Sequence, residues 1–248
     1  MPDSTPLATA VFSTFLLAGF VKGAIGLGLP TVAIGLLSLV MAPVRAASLL
    51  IVPAFVTNVW QLTAGPSFGP LLRRLGTMLL GVCVGTWVGA GQLTRDTAGG
   101  ATTALGVALV LYAVIGLTAV RFSVPPRAER WLSPLIGAVT GLVAGATGLF
   151  TIPAVPYLQA LGFEKEDLVQ ALGLSFTVST TALAAGLARD GALHASVAGA
   201  TILTLAPALV GMFLGQWVRG RVRPETFRVC FFLGLLLLGG HLALRAIL

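Results

Sequence analysis

The chain has 248 residues, 56% hydrophobic and only 9% charged, with a mean hydropathy of +0.98 and a formal net charge of +7. Soluble domains carry about 25% charged residues, so a soluble globular protein is excluded. The basic residues sit in short loops, where membrane topology accounts for them without nucleic acid.

Apolar segments run the length of the chain. A span needs about 20 residues. Residues 7–42 form one long apolar stretch, interrupted at Gly26-Leu-Gly28-Leu-Pro30. At ~1.5 Å per residue it is on the order of 50 Å long, too long for one pass through a core of ~30 Å. It therefore reads as two short passes or a re-entrant hairpin. Ordinary spans follow at residues 46–64, 75–92 and 98–120. A polar linker, residues 121–133, contains Pro125-Pro126. The plan then recurs: a broken stretch over residues 134–162, then spans at 168–188, 195–218 and 227–248. The expected fold is an all-α polytopic membrane protein. Two transmembrane repeats, residues 1–120 and 134–248, each begin with a broken or re-entrant hairpin and continue with three helices. No sustained period-two alternation supports a transmembrane barrel. The first residues lack the basic n-region of a cleaved signal peptide.

The repeat rests on glycines. Gly19-Phe-Val-Lys-Gly23-Ala-Ile-Gly26-Leu27 recurs 122 residues later as Gly141-Leu-Val-Ala-Gly145-Ala-Thr-Gly148-Leu149. Val84-Gly85-Thr-Trp-Val-Gly89 is matched by Val210-Gly211-Met-Phe-Leu-Gly215, and Leu105-Gly106 by Leu233-Gly234. Gly-xxx-Gly spacing also serves close helix packing in membranes. Glycine-interrupted apolar segments at matching places in two halves point instead to a transporter's binding site.

Loop charges give the orientation. If each broken stretch returns to the side it started from, ten basic residues share one side: Arg73, Arg74, Arg121, Arg127, Arg130, Lys165, Arg219, Arg221, Arg223 and Arg228. Four share the other: Arg45, Arg95, Arg189 and Arg245. Were each stretch a single crossing, the loops would divide seven to seven. The positive-inside rule selects the ten-to-four arrangement, with both termini outside and the linker cytoplasmic. Each half then crosses an odd number of times, so the second is inverted relative to the first.

A backbone break inside the membrane is tolerated only where it lines protein or a water-filled cavity. A glycine-rich break exposes N–H groups that suit an anion. The expected substrate-binding residues are accordingly Gly23, Gly26 and Gly28 at the first break, and Gly145, Thr147 and Gly148 at the second. Lys22 is the only Lys or Arg well inside an apolar stretch. It either contacts the substrate or snorkels to an interface. Asn58, and Ser175 on the matching span, complete the set as hydrogen-bond donors or as interhelical glue. Asn58 and Thr180 match at the repeat offset. Trp60, Trp87, Trp131 and Trp217 read as interfacial anchors.

Other chemistry lacks residues. All eight carboxylates, Asp3, Asp96, Glu129, Glu164, Glu166, Asp167, Asp190 and Glu225, fall in loops, termini or span edges, leaving nothing for an intramembrane carboxylate relay. His194 and His241 lie near span ends. Cys83 and Cys230 show no metal-ligand spacing and no disulfide framework. There is no Gly-xxxx-Gly-Lys-Ser/Thr loop. Gly173-Leu-Ser175-Phe lacks a histidine evidently placed to activate the serine. No cofactor, metal or catalytic residue is expected, and the protein does not read as an enzyme.

On the double glycine signature, Gly19 to Pro30 and Gly141 to Pro153, together with length and helix plan, the chain resembles the TauE/SafE family of sulfite exporters and sulfonate-uptake permeases. The resemblance covers nearly the whole chain. It implies a transporter for small anions such as sulfite, sulfonates or sulfoacetate in the bacterial inner membrane. The chain departs from the family's pattern at Gly26-Leu-Gly28-Leu-Pro30, where a longer glycine run is common, and at Phe150-Thr151, where glycines are usual. The expected function is a secondary transporter or facilitator of such an anion. An anion channel of the same architecture and a non-transporting membrane assembly subunit are the alternatives. The expected partners are the small anion and the lipid bilayer, with homo-oligomerisation left open and no nucleic acid.

Overall fold

A computed structural model of the protein describes residues 5–95, 99–118, 123–193, 195–219, 221 and 224–245. Asp3, Asp96, Arg121, His194 and Arg223 lie outside the described residues. Those described form ten α-helices and no strand: α1 (Thr5–Ile25), α2 (Leu29–Leu37), α3 (Pro43–Thr63), α4 (Phe68–Arg95), α5 (Gly100–Thr118), α6 (Pro126–Thr147), α7 (Ala154–Ala160), α8 (Lys165–Arg189), α9 (Ala195–Arg219) and α10 (Pro224–Arg245). Seven of them are long and apolar enough to cross a membrane: α1, α3, α4, α5, α8, α9 and α10. The protein is a multi-pass membrane protein. α6 is of similar length, but its first turns carry Arg127, Glu129 and Arg130.

Each broken stretch is a long helix followed by a short one. α1 extends for 21 residues, about 31 Å, and α2 for 9, about 13 Å. α6 and α7, of 22 and 7 residues, repeat the arrangement. The linker is shorter than its polar composition suggests. Pro126 stands in the first turn of α6, where a missing N–H costs nothing, and residues 126–133 are already helical.

The glycine motifs decide which helices meet. α1 packs along α9, with Gly19 and Gly23 against the backbone of Ala208 and Met212, and Gly211 and Gly215 against that of Leu16 and Phe20. A methyl group on any of these glycines would fall on a carbonyl oxygen. α6 packs along α4 the same way: Gly137 and Gly141 meet Met78 and Val82, while Gly81 and Gly85 meet Pro134 and Ala138. The first motif of each half thus pairs with the second motif of the other. In lipid, hydrophobic burial gives helices little reason to associate, so backbone approach and Cα–H···O contacts supply it.

α3 crosses α8 at the centre, and α5 packs on α10. Pro53 cannot donate to the Leu49 carbonyl, and the single hydroxyl proton of Thr204 on α9 is shared between that carbonyl at 3.2 Å and the Thr201 carbonyl at 2.7 Å. Large apolar side chains such as Leu80, Val84, Leu203 and Leu237 face outward. Trp60, Trp87, Trp131 and Trp217 are also exposed, as are the free thiols Cys83 and Cys230.

Candidate functional site

The last turn of α1 points Lys22 at α3. Its Nζ donates to Asn58 Oδ1; Asn58 Nδ2 donates to Thr180 Oγ1 on α8 at 3.2 Å; Thr180 Oγ1 donates to the Phe176 carbonyl at 2.7 Å. Asn58 and Thr180, matched in the sequence repeat, bond to each other where α3 and α8 cross. Lys22 is 4% exposed and Asn58 wholly buried. Thr180 lies about 22 Å along α8 from Lys165 and about 14 Å from Arg189, so this polar chain sits well inside the bundle. Lys22 does not reach out to an interface. Among the described residues no carboxylate pairs with it; the ion pairs there are Arg74–Glu129 and Arg189–Asp190. An ammonium has three donors. Asn58 accepts one of them.

One turn further on, the chain breaks. Gly26 and Gly28 adopt φ of 77° and 99°, a region that ordinary side chains rarely enter. The Gly26 N–H caps α1 on the Lys22 carbonyl at 2.7 Å. Gln61 Nε2 donates to the Gly26 carbonyl at 3.1 Å, which ties the break to α3. Gln61 Oε1 and Ser175 Oγ are buried polar atoms with no partner among the described residues. Their helices touch there, since Gly173 packs on the backbone of Gln61 and Leu62.

The second break folds alike but is closed. Gly148, at φ 76°, caps α6 on the Ala144 carbonyl at 2.8 Å. Thr147 Oγ1 donates to the Val143 carbonyl at 2.7 Å and accepts from Leu149 N–H at 3.1 Å. Leu149, Phe150 and Thr151 have no exposure at all. Phe150 stands where the first copy has Gly28, and its ring packs 5.4 Å from that of Phe176. Gly148 lies against Ile34 and Ala47, and Thr151 Oγ1 is 3.5 Å from Thr31 Oγ1 on α2.

By contrast, Ile25, Gly26 and Leu27 are partly exposed. A cleft of about 1030 Å³ reaches the first break at Ala24, Ile25 and Leu27. Its lining also includes Lys165, Arg219 and Arg228, with Glu225. Its walls include Tyr112, Ile115 and Phe232.

The nine expected site residues therefore separate. Lys22 and Asn58 join directly, and Gly26 joins Lys22 through its backbone N–H. Gly28 packs on Val21 and Phe231; Gly23 and Gly145 lie in helix crossings; Thr147 and Gly148 shape the second break; Ser175 stands on α8 with a free hydroxyl. Sequence reasoning did not see the sealing role of Phe150 or the cleft. The departure from glycine at position 150 was the available signal for the first. The cleft joins five distant segments and left none.

The family model described as Sulfite exporter TauE/SafE matches residues 11–242. The chain belongs to the TauE/SafE family. No curated protein and no solved structure matches it significantly. TauE/SafE proteins are membrane transporters of sulfite and related sulfur anions. Among the described residues no group of His, Cys, Asp and Glu could hold a metal.

Proposed function

We propose that this TauE/SafE chain is a secondary transporter or facilitator of a small organosulfur or related anion, of the sulfite, sulfonate and sulfoacetate class, in the bacterial inner membrane. The anion is held by Lys22 with the Gly26–Gly28 break. The observation that carries the reading is Lys22 itself: buried, bonded to neutral Asn58, and paired with no carboxylate among the described residues. A buried charge is costly unless paired, and an anionic substrate is the missing partner.

Two inverted repeats account for the rest. The exchange of glycine partners between halves supports them, as do the contacts at the helix ends. Arg74 bonds Glu129 and the Leu161 carbonyl, while Lys165, Arg219 and Arg228 share one cleft; all belong to the ten-charge side. Arg189 bonds the Trp87 carbonyl and Arg245 the Leu39 carbonyl, on the four-charge side. With the cleft cytoplasmic, the conformation faces inward: the first break is open and the second sealed by Phe150. That asymmetry favours alternation between two states over a channel, which needs a continuous pore.

Purified protein in liposomes tests this. Saturable movement of labelled sulfite or a sulfonate is expected, and its loss in Lys22→Ala protein of normal yield. A protein that moves none of these anions would refute the proposal.

A further inference from the structure

Anion release poses a problem at Lys22. The side chain is buried and has no ion pair among the described residues. A buried ammonium is costly unless a counter-charge accompanies it. A bound anion supplies that charge. Once the anion leaves, the cost returns unless the ammonium gives up a proton.

Asn58 is arranged to permit that. The one proton of the Thr180 hydroxyl goes to the Phe176 carbonyl, so Thr180 accepts from Asn58 Nδ2. The amide is thereby turned with Oδ1 towards Lys22 Nζ. An ammonium and a neutral amine both carry N–H groups, so either donates to Oδ1. A carboxylate at position 58 would instead hold the charged form. No group on the neighbouring helices takes that carboxylate's place. α2 has no titratable residue, and α3 has only Arg45, about 20 Å along the helix from Asn58. α9 has only Arg219, of the same sign as Lys22. α8, reached through Thr180, keeps Lys165, Glu166, Asp167 and Arg189 to its ends. On α10, Arg228, Cys230, His241 and Arg245 are not carboxylates, and Glu225 in the first turn is exposed.

We infer that the protein moves its anion together with one proton carried on Lys22, and that the neutral Asn58 positions Lys22 in both protonation states. This rests on the proposed anion site at Lys22 and assigns its coupling. In the loaded state the ammonium and a monovalent anion cancel. On release the anion departs, one N–H bond of Lys22 breaks, the proton passes to water on the same side, and a neutral amine stays behind. Reloading on the other side reverses these steps. Each cycle therefore moves one anion and one proton in the same direction with no net charge.

Labelled methanesulfonate tests this on purified protein in liposomes, because that anion keeps its single charge throughout the working pH range. Exchange against unlabelled methanesulfonate without any gradient reports transport alone. With the membrane potential clamped at zero, a gradient of one pH unit, acid outside, should hold about a tenfold accumulation inside. A potential imposed at equal pH should hold none. Lys22→Arg keeps a permanent cation, so its exchange should persist while accumulation driven by the pH gradient is lost. Asn58→Asp, which pairs Lys22 with a fixed negative charge, should lose the response to the pH gradient at unchanged melting temperature. Glu225→Gln should retain it. Exchange with accumulation that follows the potential and ignores the pH gradient would overturn this inference and leave the proposed function standing. Gradient-driven accumulation that survives in Lys22→Arg, or that disappears in Glu225→Gln, would also overturn it. Neither exchange nor net movement of methanesulfonate or sulfite would overturn both.

Discussion

Lys22 and the break glycines carry distinct burdens, and single substitutions separate them. One charged hydrogen bond is worth roughly 1.5–3 kcal/mol, so Lys22→Ala should weaken apparent anion affinity by about ten- to a hundredfold, with Lys22→Arg recovering part. Gly26 and Gly148 share the left-handed conformation but not the space around it. A Cβ at Gly26 would find Gln61 Nε2 only at 4.0 Å, whereas one at Gly148 would meet Ile34 Cδ1 at 2.8 Å and Ala47 Cβ at 3.1 Å. Gly26→Asn should therefore keep the fold and much of the transport, because Asn tolerates positive φ. Gly148→Leu should lose both, as read by melting temperature and uptake. Equal damage at the two sites would show that space around the break does not matter. Phe150→Ala removes the seal of the second break and should give an anion leak in liposomes that the parent protein lacks.

Helix pairs show how far the sequence could be read. The repeated Gly-xxx-Gly motifs identified the close-packed surfaces, but their partners were not legible, because either copy could have met its own half. Backbone contact between copies from opposite halves settles that. Gly19→Leu and Gly85→Leu should each cost about 1–3 kcal/mol or more through overpacking and lower the yield of monodisperse protein. At Gly76, where an added Cβ meets nothing within 4 Å, Ala should be neutral or stabilising. Thr204→Val should cost about 1 kcal/mol, since it removes the hydroxyl shared by the Leu49 and Thr201 carbonyls. At the α4 and α8 ends, Arg189 and Thr94 bond the Asp190 carboxylate and hold its pKa below the usual value. Its stabilising effect is present above the ordinary carboxylate range and fades only as pH falls through the lowered pKa.

For the molecule as a whole, alternating apolar and polar segments made the helix order legible, because about 20 apolar residues leave a chain little choice in lipid. Helix ends ran past those segments: α4 begins at Phe68 and α8 at Lys165, because polar residues extend helices into the interface. The open first break and closed second break were legible only in the departure from glycine at Phe150, since near-identical glycine motifs otherwise enclose both. The proposed inverted arrangement, with both termini outside, predicts that a cysteine at Ser123, in a background lacking Cys83 and Cys230, labels from the cytoplasmic side; labelling from the periplasm would overturn it. The proposed function makes Lys22 the anion's partner at the open break. The most direct measurement is equilibrium binding of labelled sulfite to purified parent and Lys22→Ala protein, with melting temperature as the control for folding. The account predicts saturable binding to the parent and affinity weaker by about ten- to a hundredfold in the variant at unchanged melting temperature. Equal affinity in the two proteins would contradict it.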